Sequence, residues 1–164
     1  AEPLLSGARV LVHCGDVFNH GPGNPLPAGY GPRELLDALN ASPVPLLPVQ
    51  GNCDSDVDRK VLSFPFASPY AVLSADGLLI VASHGHHFAD GEWVELGRRW
   101  GAGLLVSGHT HRARLERRDG VVLLNPGSLA LPRDNPCVGI VDTAGRTAEL
   151  RDVRDGSVFA RESL

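Results

Sequence analysis

The chain repeats one local pattern at four places, where a short apolar run is followed by a turn rich in glycine and polar side chains. The apolar runs cover residues 10–12, 46–49, 78–82 and 104–106. Short apolar runs bounded by turn residues are typical of buried β-strands. We therefore expect four strands whose following turns lie together at one edge of a sheet.

The same reading of the pattern predicts further elements. Helices are expected from Pro32 to about Leu39, where proline suits the first turn, from Asp54 as a cap through Leu62, and over about 91–100. Strands are expected over 10–13, 46–50, 71–74, 78–82, 104–107, 113–117, 121–125, 138–142 and 147–151.

The order of these elements indicates the fold class. The first half alternates strands and helices, whereas the second half is expected to form antiparallel hairpins at Asp119-Gly120 and Ala144-Gly145. The sequence therefore predicts an α/β fold with two stacked mixed β-sheets flanked by helices. A length of 164 residues fits one domain, so we expect residues 1–164 to form it.

Composition narrows the class of protein. The chain has 43% hydrophobic and 21% charged residues and a net charge of -4, with arginines dispersed among acids, so nucleic acid is not the expected partner. No apolar stretch approaches the roughly 20 residues of a membrane span. The three cysteines, Cys14, Cys53 and Cys137, form no close pair, which favours a reducing compartment and a cytoplasmic location. Self-association into a homo-oligomer is a further expectation.

The turns after the four apolar runs contain the side chains that could bind a metal or take part in catalysis. They contain Asp16, then Asn52, Cys53 and Asp54, then His84 and His86, and finally His109 and His111. Carboxylate, amide and imidazole ligands suit Mn, Fe or Zn, and the lack of a thiolate cluster argues against a structural zinc. The pattern therefore predicts a metal site built from several strand ends.

These motifs also stand in a familiar order. The chain contains Gly15-Asp16-Val17-Phe18-Asn19-His20-Gly21-Pro22, Gly51-Asn52-Cys53-Asp54, His84-Gly85-His86, Gly108-His109-Thr110-His111 and Asn125-Pro126-Gly127-Ser128. In this it resembles the calcineurin-like metallophosphoesterases, and most closely their small bacterial and archaeal phosphodiesterase branch, the YfcE-like proteins. The resemblance covers most of the chain. It implies a two-sheet α/β sandwich that hydrolyses small phosphate esters.

The resemblance also implies roles for individual residues. Asp16 would bridge two divalent metal ions, Asn52, His84 and His109 would complete the ligands of one ion, and His111 would bind the other. The implied reaction is phosphodiester hydrolysis by a hydroxide that bridges the two ions. Manganese is the first expectation, with Fe, Zn or Ni as alternatives. Cys53 joins the catalytic set because it stands where many relatives carry a histidine thought to protonate the leaving oxygen.

One part of the family pattern has no counterpart before Asp16. The family opens with a strand that ends in Asp-x-His, whose side chains bind the second metal. The chain instead starts with a stretch over residues 2–8 that reads as the tail of a helix. We therefore expect an N-terminally incomplete domain that lacks its first strand. One metal site then keeps four protein ligands, and the other keeps Asp16 and His111.

Several residues have a structural interpretation as well as a functional one. His13, His20 and His87 are expected to be structural, while His86 stays open. Asp54 either caps the following helix or contacts a metal. Cys53 is either a buried turn residue or part of the site, Cys14 and Cys137 are expected to be packing residues, and Arg112 is expected to be solvated.

Two other functions are compatible with the sequence. A protein of this fold that has lost metal ligands could serve as an interaction scaffold, although the presence of Asp16, Asn52, His84, His109 and His111 argues against it. A mononuclear metal hydrolase that uses only the four-ligand site is the other alternative.

Overall fold

The computed structural model describes residues 6–164, which form three helices and ten strands. In chain order they are β1 (Leu11–His13), α1 (Pro32–Asn40), β2 (Leu46–Pro48), α2 (Asp56–Val61), β3 (Tyr70–Ala75), β4 (Leu78–Ser83), α3 (Asp90–Trp100), β5 (Leu104–Val106), β6 (Ala113–Arg118), β7 (Val121–Pro126), β8 (Cys137–Asp142), β9 (Thr147–Asp152) and β10 (Val158–Ser163). Most of the helix tail predicted over 2–8 lies outside the described residues.

A five-stranded mixed sheet forms the centre of the fold, in the order β3-β4-β5-β7-β6. Strands β4, β5 and β7 are parallel, and the edge strands β3 and β6 run antiparallel to their neighbours. Side chains alternate between the two faces of a strand, so the central sheet has two apolar faces, and each packs against a different part of the protein. Val81 and Leu105 pack against Trp93 and Val94 of α3, while Ile80 and its neighbours face the second layer.

The second layer consists of two smaller sheets. Strands β1 and β2 form a parallel pair, and β8, β9 and β10 form an antiparallel sheet in the order β10-β9-β8. Leu150 and Cys137 of the antiparallel sheet share the main core with Leu104 and Val122 of the central sheet. Leu36 of α1 and Leu62, which directly follows α2, pack with Leu46 on the other side of β2. The helices therefore lie outside the sheets.

This arrangement confirms the predicted fold class, a mixed α/β protein with packed sheets and outer helices. The division of the second layer differs from the expectation of one sheet. Among residues 6–164, β1 hydrogen-bonds only to β2, so the pair stays separate from β8–β10. The sequence predicts every helix and nine of the ten strands to within a few residues.

Strand β10 is the element that the sequence analysis missed. Its residues are mostly exposed, including Val158 at 41% and Phe159 at 47%, and it lies at the edge of its sheet. An edge strand that buries few side chains has no strict apolar alternation, and this pattern is the main signal for a strand. The predicted hairpin at Asp119-Gly120 is present, with both residues at positive φ (50° and 86°), as a tight hairpin turn requires. The second hairpin instead has a four-residue loop, in which Arg146 has a φ of 54°.

Cys14, Cys53 and Cys137 are free thiols. Cys14 and Cys137 pack in the main core, as predicted, and the Cys137 thiol donates to the carbonyl oxygen of Pro126 at 2.9 Å. No helix within residues 6–164 is both long and apolar enough to cross a membrane.

Candidate metal centre

Three of the predicted ligands converge on one atom of a fourth, Nε2 of His84. This nitrogen lies 3.3 Å from Oδ2 of Asp16, 3.0 Å from Oδ1 of Asn52 and 3.2 Å from Nδ1 of His109. Asp16 and Asn52 follow the parallel strands β1 and β2, and His84 and His109 follow the parallel strands β4 and β5. The structure therefore brings together strand ends from both layers. We call these four residues the His84 cluster.

The orientation of the His84 ring is fixed by its other nitrogen. Nδ1 lies 2.5 Å from the carbonyl oxygen of Cys14, and the ring is buried with 2% of its surface exposed. A carbonyl only accepts hydrogen bonds, so Nδ1 carries a proton, and in the neutral ring Nε2 presents its lone pair to the cluster. Metal-binding histidines commonly have this kind of partner on their second nitrogen.

The electrostatics of the cluster are those of a site that attracts positive charge. Burial alone would lower the pKa of His84, but its hydrogen bonds to Asp16 and to the Cys14 carbonyl raise it. Burial opposes ionisation of Asp16, yet contacts with His84 and the Cys53 N–H lower the pKa of this carboxyl. Burial and the neighbouring His84 lower the pKa of His109, which favours its neutral, lone-pair form.

These features test whether a divalent ion fits. With Nδ1 of His84 protonated, the Asp16 carboxylate, the Asn52 amide oxygen and the His84 nitrogen all present lone pairs to one another, an arrangement that needs a cation or an added proton. The donor types are those that Mn, Fe and Zn accept. Among residues 6–164 no three His, Cys, Asp or Glu side chains form a metal-binding group by themselves. The fit therefore depends on including the Asn52 amide.

Two glycines allow the loops of the cluster to approach one another. A Cβ on Gly51 would lie 2.1 Å from Oδ1 of Asp16, and a Cβ on Gly15 would lie 2.6 Å from the backbone nitrogen of Gly51 and 2.7 Å from Nδ1 of His84. Gly15 also has a φ of 90°, which side chains with a Cβ rarely adopt. Both positions exclude a larger residue because the loops are in backbone contact.

Asp54 does not cap helix α2. Its carboxylate accepts the backbone N–H groups of Asp16 at 2.8 Å, Val17 at 2.8 Å and Gly51 at 2.7 Å. Helix α2 is instead capped by Ser55, which forms a reciprocal capping box with Asp58. A sequence cannot show which backbone donors a carboxylate will meet, so this contact was not predicted. Its observed role is to join the first two loops of the site.

The Gly108-His109-Thr110-His111 loop has an unusual backbone. His109 and His111 both have positive φ, 65° and 58°, which costs energy for residues other than glycine. Buried Asn125 supports this loop by donating from Nδ2 to the carbonyl oxygen of Gly108 at 2.7 Å and to Oγ1 of Thr110 at 3.1 Å. The sequence analysis gives Asn125 no contact with this loop, so this supporting contact is an addition.

A cavity of about 450 Å³ opens beside the cluster. Its walls include the predicted site residues Asp16, Asn52, Cys53, His109 and His111, together with Arg112. The backbone N–H of Cys53 donates to Oδ1 of Asp16 at 2.9 Å, and its sulfur lies 3.2 Å from Nδ2 of Asn52. Burial and the charge of Asp16 raise the pKa of the Cys53 thiol. Cys53 therefore belongs to the site region, and its thiol keeps its proton.

The remaining histidines divide into two groups. The His86 ring lies 5.1 Å from the His84 ring and 6.1 Å from the His109 ring, and the His87 ring lies 3.7 Å from that of His86, tilted by 39°. His86 is therefore next to the cluster. His13 and His20 do not contact it by hydrogen bonds among the described residues, and each has a buried Nδ1 without a partner there.

Two cavity residues were missed by the sequence analysis, Asn24 and Arg133. Asn24 lies in the glycine- and proline-rich loop after Asp16, and Arg133 lies in the loop after β7. Neither follows an apolar run directly, so the strand-end pattern that indicated the other residues could not reveal them.

Comparison with known families identifies the class that this fold and cluster define. Residues 4–146 match the calcineurin-like phosphoesterase superfamily domain, and the chain belongs to this family. Family membership implies that it binds divalent metal. This confirms the resemblance inferred from the motifs.

Individual relatives give the position within the family. The chain is 39% identical to the phosphodiesterase YfcE of Escherichia coli (strain K12) over 161 residues, which cover 97% of this chain and 85% of that protein. The structure of YfcE, described as a phosphoesterase, superposes with a TM-score of 0.86 at 32% identity, over 99% of this chain and 88% of that one. Wild-type Vps29 from Entamoeba histolytica, complexed with Zn²⁺, shares the fold with a TM-score of 0.54 at 23% identity, over 94% and 97% of the two chains.

Proposed function

We propose that the protein is a metal-dependent phosphodiesterase that acts on small phosphate esters. The observation that carries the proposal is the convergence of Asp16, Asn52 and His109 on Nε2 of His84, at 3.0 to 3.3 Å, inside a family of phosphoesterases. The similarity to a named phosphodiesterase, at 39% identity, supports the diester as substrate. The cavity of about 450 Å³ is within the size range of small-molecule sites.

The metal ligands in this proposal are those that the family resemblance implies. The His84 cluster would hold one divalent ion, and Asp16 would share a second ion with His111. Divalent ions in such a site lower the pKa of water and neutralise phosphoryl oxygens, and manganese is the first candidate. His111 lies in the wall of the same cavity as Asp16, which is consistent with that assignment.

The protein's own residues prepare this site before any substrate arrives. The Cys14 carbonyl fixes the His84 ring, and the Cys53 N–H fixes one oxygen of Asp16, so that the other oxygen faces His84. Because these partners already hold the side chains, little conformational freedom is lost on binding. The Cys53 thiol is protonated at neutral pH and lines the cavity, so it can donate a proton to a leaving oxygen but does so poorly compared with an imidazolium. Esters with good leaving groups should therefore react best.

The experiment is a diesterase assay with bis-p-nitrophenyl phosphate and added Mn²⁺. Asp16→Ala and His109→Ala should each remove nearly all turnover, because each deletes a ligand that positions the ion and its substrate. Asp37→Ala is the matched control, since this exposed acid only pairs with Arg33 on α1 at 3.3 Å. Absence of turnover by the unmodified protein, or full turnover by purified Asp16→Ala, would refute the proposal.

A mononuclear metal hydrolase is the second candidate. It is favoured by one observation: the described residues bring four ligands together at His84, while the His111 side chain forms no hydrogen bond with that cluster within residues 6–164 and only shares its cavity. Metal content distinguishes the two candidates. Full activity at one ion per chain supports the mononuclear enzyme, and activity that needs a second ion supports the dinuclear one.

A further inference from the structure

The loop over residues 127–136, which joins β7 to β8, brings a cationic side chain to the cavity of the candidate metal centre. Arg133 lines this cavity together with Asp16, Asn52 and His109. A cationic residue at a proposed site for phosphate esters is suited to bind the negatively charged phosphoryl oxygens.

The loop is fixed to the metal-ligand loop by two hydrogen bonds. The backbone N–H of Arg133 donates to the carbonyl oxygen of His111 at 3.0 Å, and Oδ2 of Asp134 accepts the backbone N–H of Ala113 at 3.1 Å. These bonds lie on either side of Arg112. Arg133 therefore keeps its place relative to the histidine loop, although its side chain is exposed.

The charge of Arg133 has no partner within residues 6–164. Its neighbours in the sequence and in space are different in this respect. Arg112 lies 4.0 Å from Asp134, and Arg114 pairs with Asp90 at 3.0 Å and with Glu116 at 2.8 Å. Arg133 lines the cavity and its exposed guanidinium has no carboxylate partner among residues 6–164, so the group is available to an anionic ligand, and its planar set of donors matches phosphate oxygens.

We propose that Arg133 is a substrate-binding residue that donates hydrogen bonds to phosphoryl oxygens, and that Asp134 is the residue that positions it. This inference rests on the proposed phosphodiesterase function and adds a determinant of substrate specificity. The oxygens can belong to the scissile phosphate or to a second phosphate on one of the alcohols. The cavity, at about 450 Å³, has room for a phosphodiester and part of its substituent.

The test compares two substrates with the same leaving group, the p-nitrophenyl ester of thymidine 5′-phosphate with and without a 3′-phosphate. Arg133→Gln should raise KM by about tenfold, with a much smaller change in kcat, because a charge-assisted hydrogen bond to the substrate is lost. Arg133→Lys should recover part of the loss. An equal effect on both esters assigns Arg133 to the scissile phosphate, and an effect only on the 3′-phosphorylated ester assigns it to the second phosphate.

The matched control is Arg99→Gln in the last turn of α3, which removes the same charge from an exposed position away from the cavity. Calorimetric titration of the Mn-loaded protein with thymidine 3′,5′-bisphosphate gives a readout that needs no turnover. Its Kd should weaken by about tenfold in Arg133→Gln and stay unchanged in Arg99→Gln. Metal content, measured in every variant, should stay at the value of the unmodified protein.

Asp134 is tested by a pair of variants. Asp134→Ala should raise KM in the same way as Arg133→Gln, and Asp134→Asn should restore it, because the amide oxygen can still accept the N–H of Ala113. Unchanged KM and Kd in Arg133→Gln, while the unmodified protein is active, would overturn this inference alone. An unmodified protein that does not hydrolyse either ester with Mn²⁺ would instead refute the proposed function.

Discussion

The Asp54 carboxylate accepts the backbone N–H of Asp16 at 2.8 Å, and this contact holds the first ligand of the candidate metal centre from behind. The same carboxylate binds the N–H groups of Val17 and Gly51, so one buried side chain joins the loops after β1 and β2. Asp54 does not belong to the His84 cluster. It fixes the backbone from which two members of the cluster, Asp16 and Asn52, extend.

Asp54→Ala should therefore weaken both the fold and metal binding. It leaves three backbone donors without their acceptor, and the free energy of unfolding should fall by about 3 kcal/mol or more. Urea unfolding measures this loss, with the exposed Asp37→Ala as control. A loss no larger than that of the control would show that the loops hold their positions without Asp54.

Gly51→Ala should impair the site with a change of one methyl group. The new Cβ would lie 2.1 Å from Oδ1 of Asp16, so the carboxylate or the loop must move. We expect Mn-dependent diesterase activity to fall by at least about 100-fold, because displacement of a catalytic group by about 1 Å can have that effect. Gly91→Ala in α3 is the control, since its Cβ would meet nothing within 4 Å. Equal activity of the two variants would mean that the loops rearrange freely.

The sequence predicts the elements well because their apolar pattern is strong. Three of the four runs that end at the site, those of β2, β4 and β5, are largely buried, and burial of a strand requires an apolar sequence. Strand β10 was missed because exposed residues such as Val158 and Phe159 do not follow that rule.

The residues of the candidate site could likewise be predicted only in part. Asp16, Asn52, His84 and His109 could be predicted because each follows a strand whose position the pattern indicates. The part that could not be predicted consists of contacts between distant segments. Asn125 meets the carbonyl of Gly108, and Arg133 meets that of His111, only because β5, β6 and β7 lie side by side. Such contacts between distant segments cannot be predicted from a single sequence.

The Cys53 thiol should react slowly with iodoacetamide at neutral pH. Burial and the neighbouring charge of Asp16 raise its pKa, and only the thiolate is an effective nucleophile. Its alkylation should therefore become fast only at a higher pH than the alkylation of a free cysteine. Burial raises the pKa of Cys14 to about 12 and that of Cys137 to about 11, so these two should be modified after Cys53. Peptide mapping of the metal-free protein at several pH values measures the order. Rapid modification of Cys53 at pH 7 would contradict it.

The 164-residue chain should bind about one divalent ion tightly. The His84 cluster provides four ligands, whereas Asp16 and His111 provide two for a second ion, fewer than the three protein ligands that catalytic sites usually have. Elemental analysis after dialysis should give about one Mn²⁺ or Zn²⁺ per chain, and the chain alone should be a weak diesterase. Chelation should lower Tm, because an ion that binds only the folded state stabilises it.

The same measurement on His109→Ala provides the internal comparison. This variant removes one ligand from the cluster, so it should retain less metal, and chelation should change its Tm less than that of the unmodified protein. His20→Ala is the control, because that ring packs against Tyr30 at 5.4 Å and has no contact with the cluster. Two tightly bound ions with strong activity would show that a further residue completes the second site. His86 would then be the first candidate, since its ring lies 5.1 Å from that of His84.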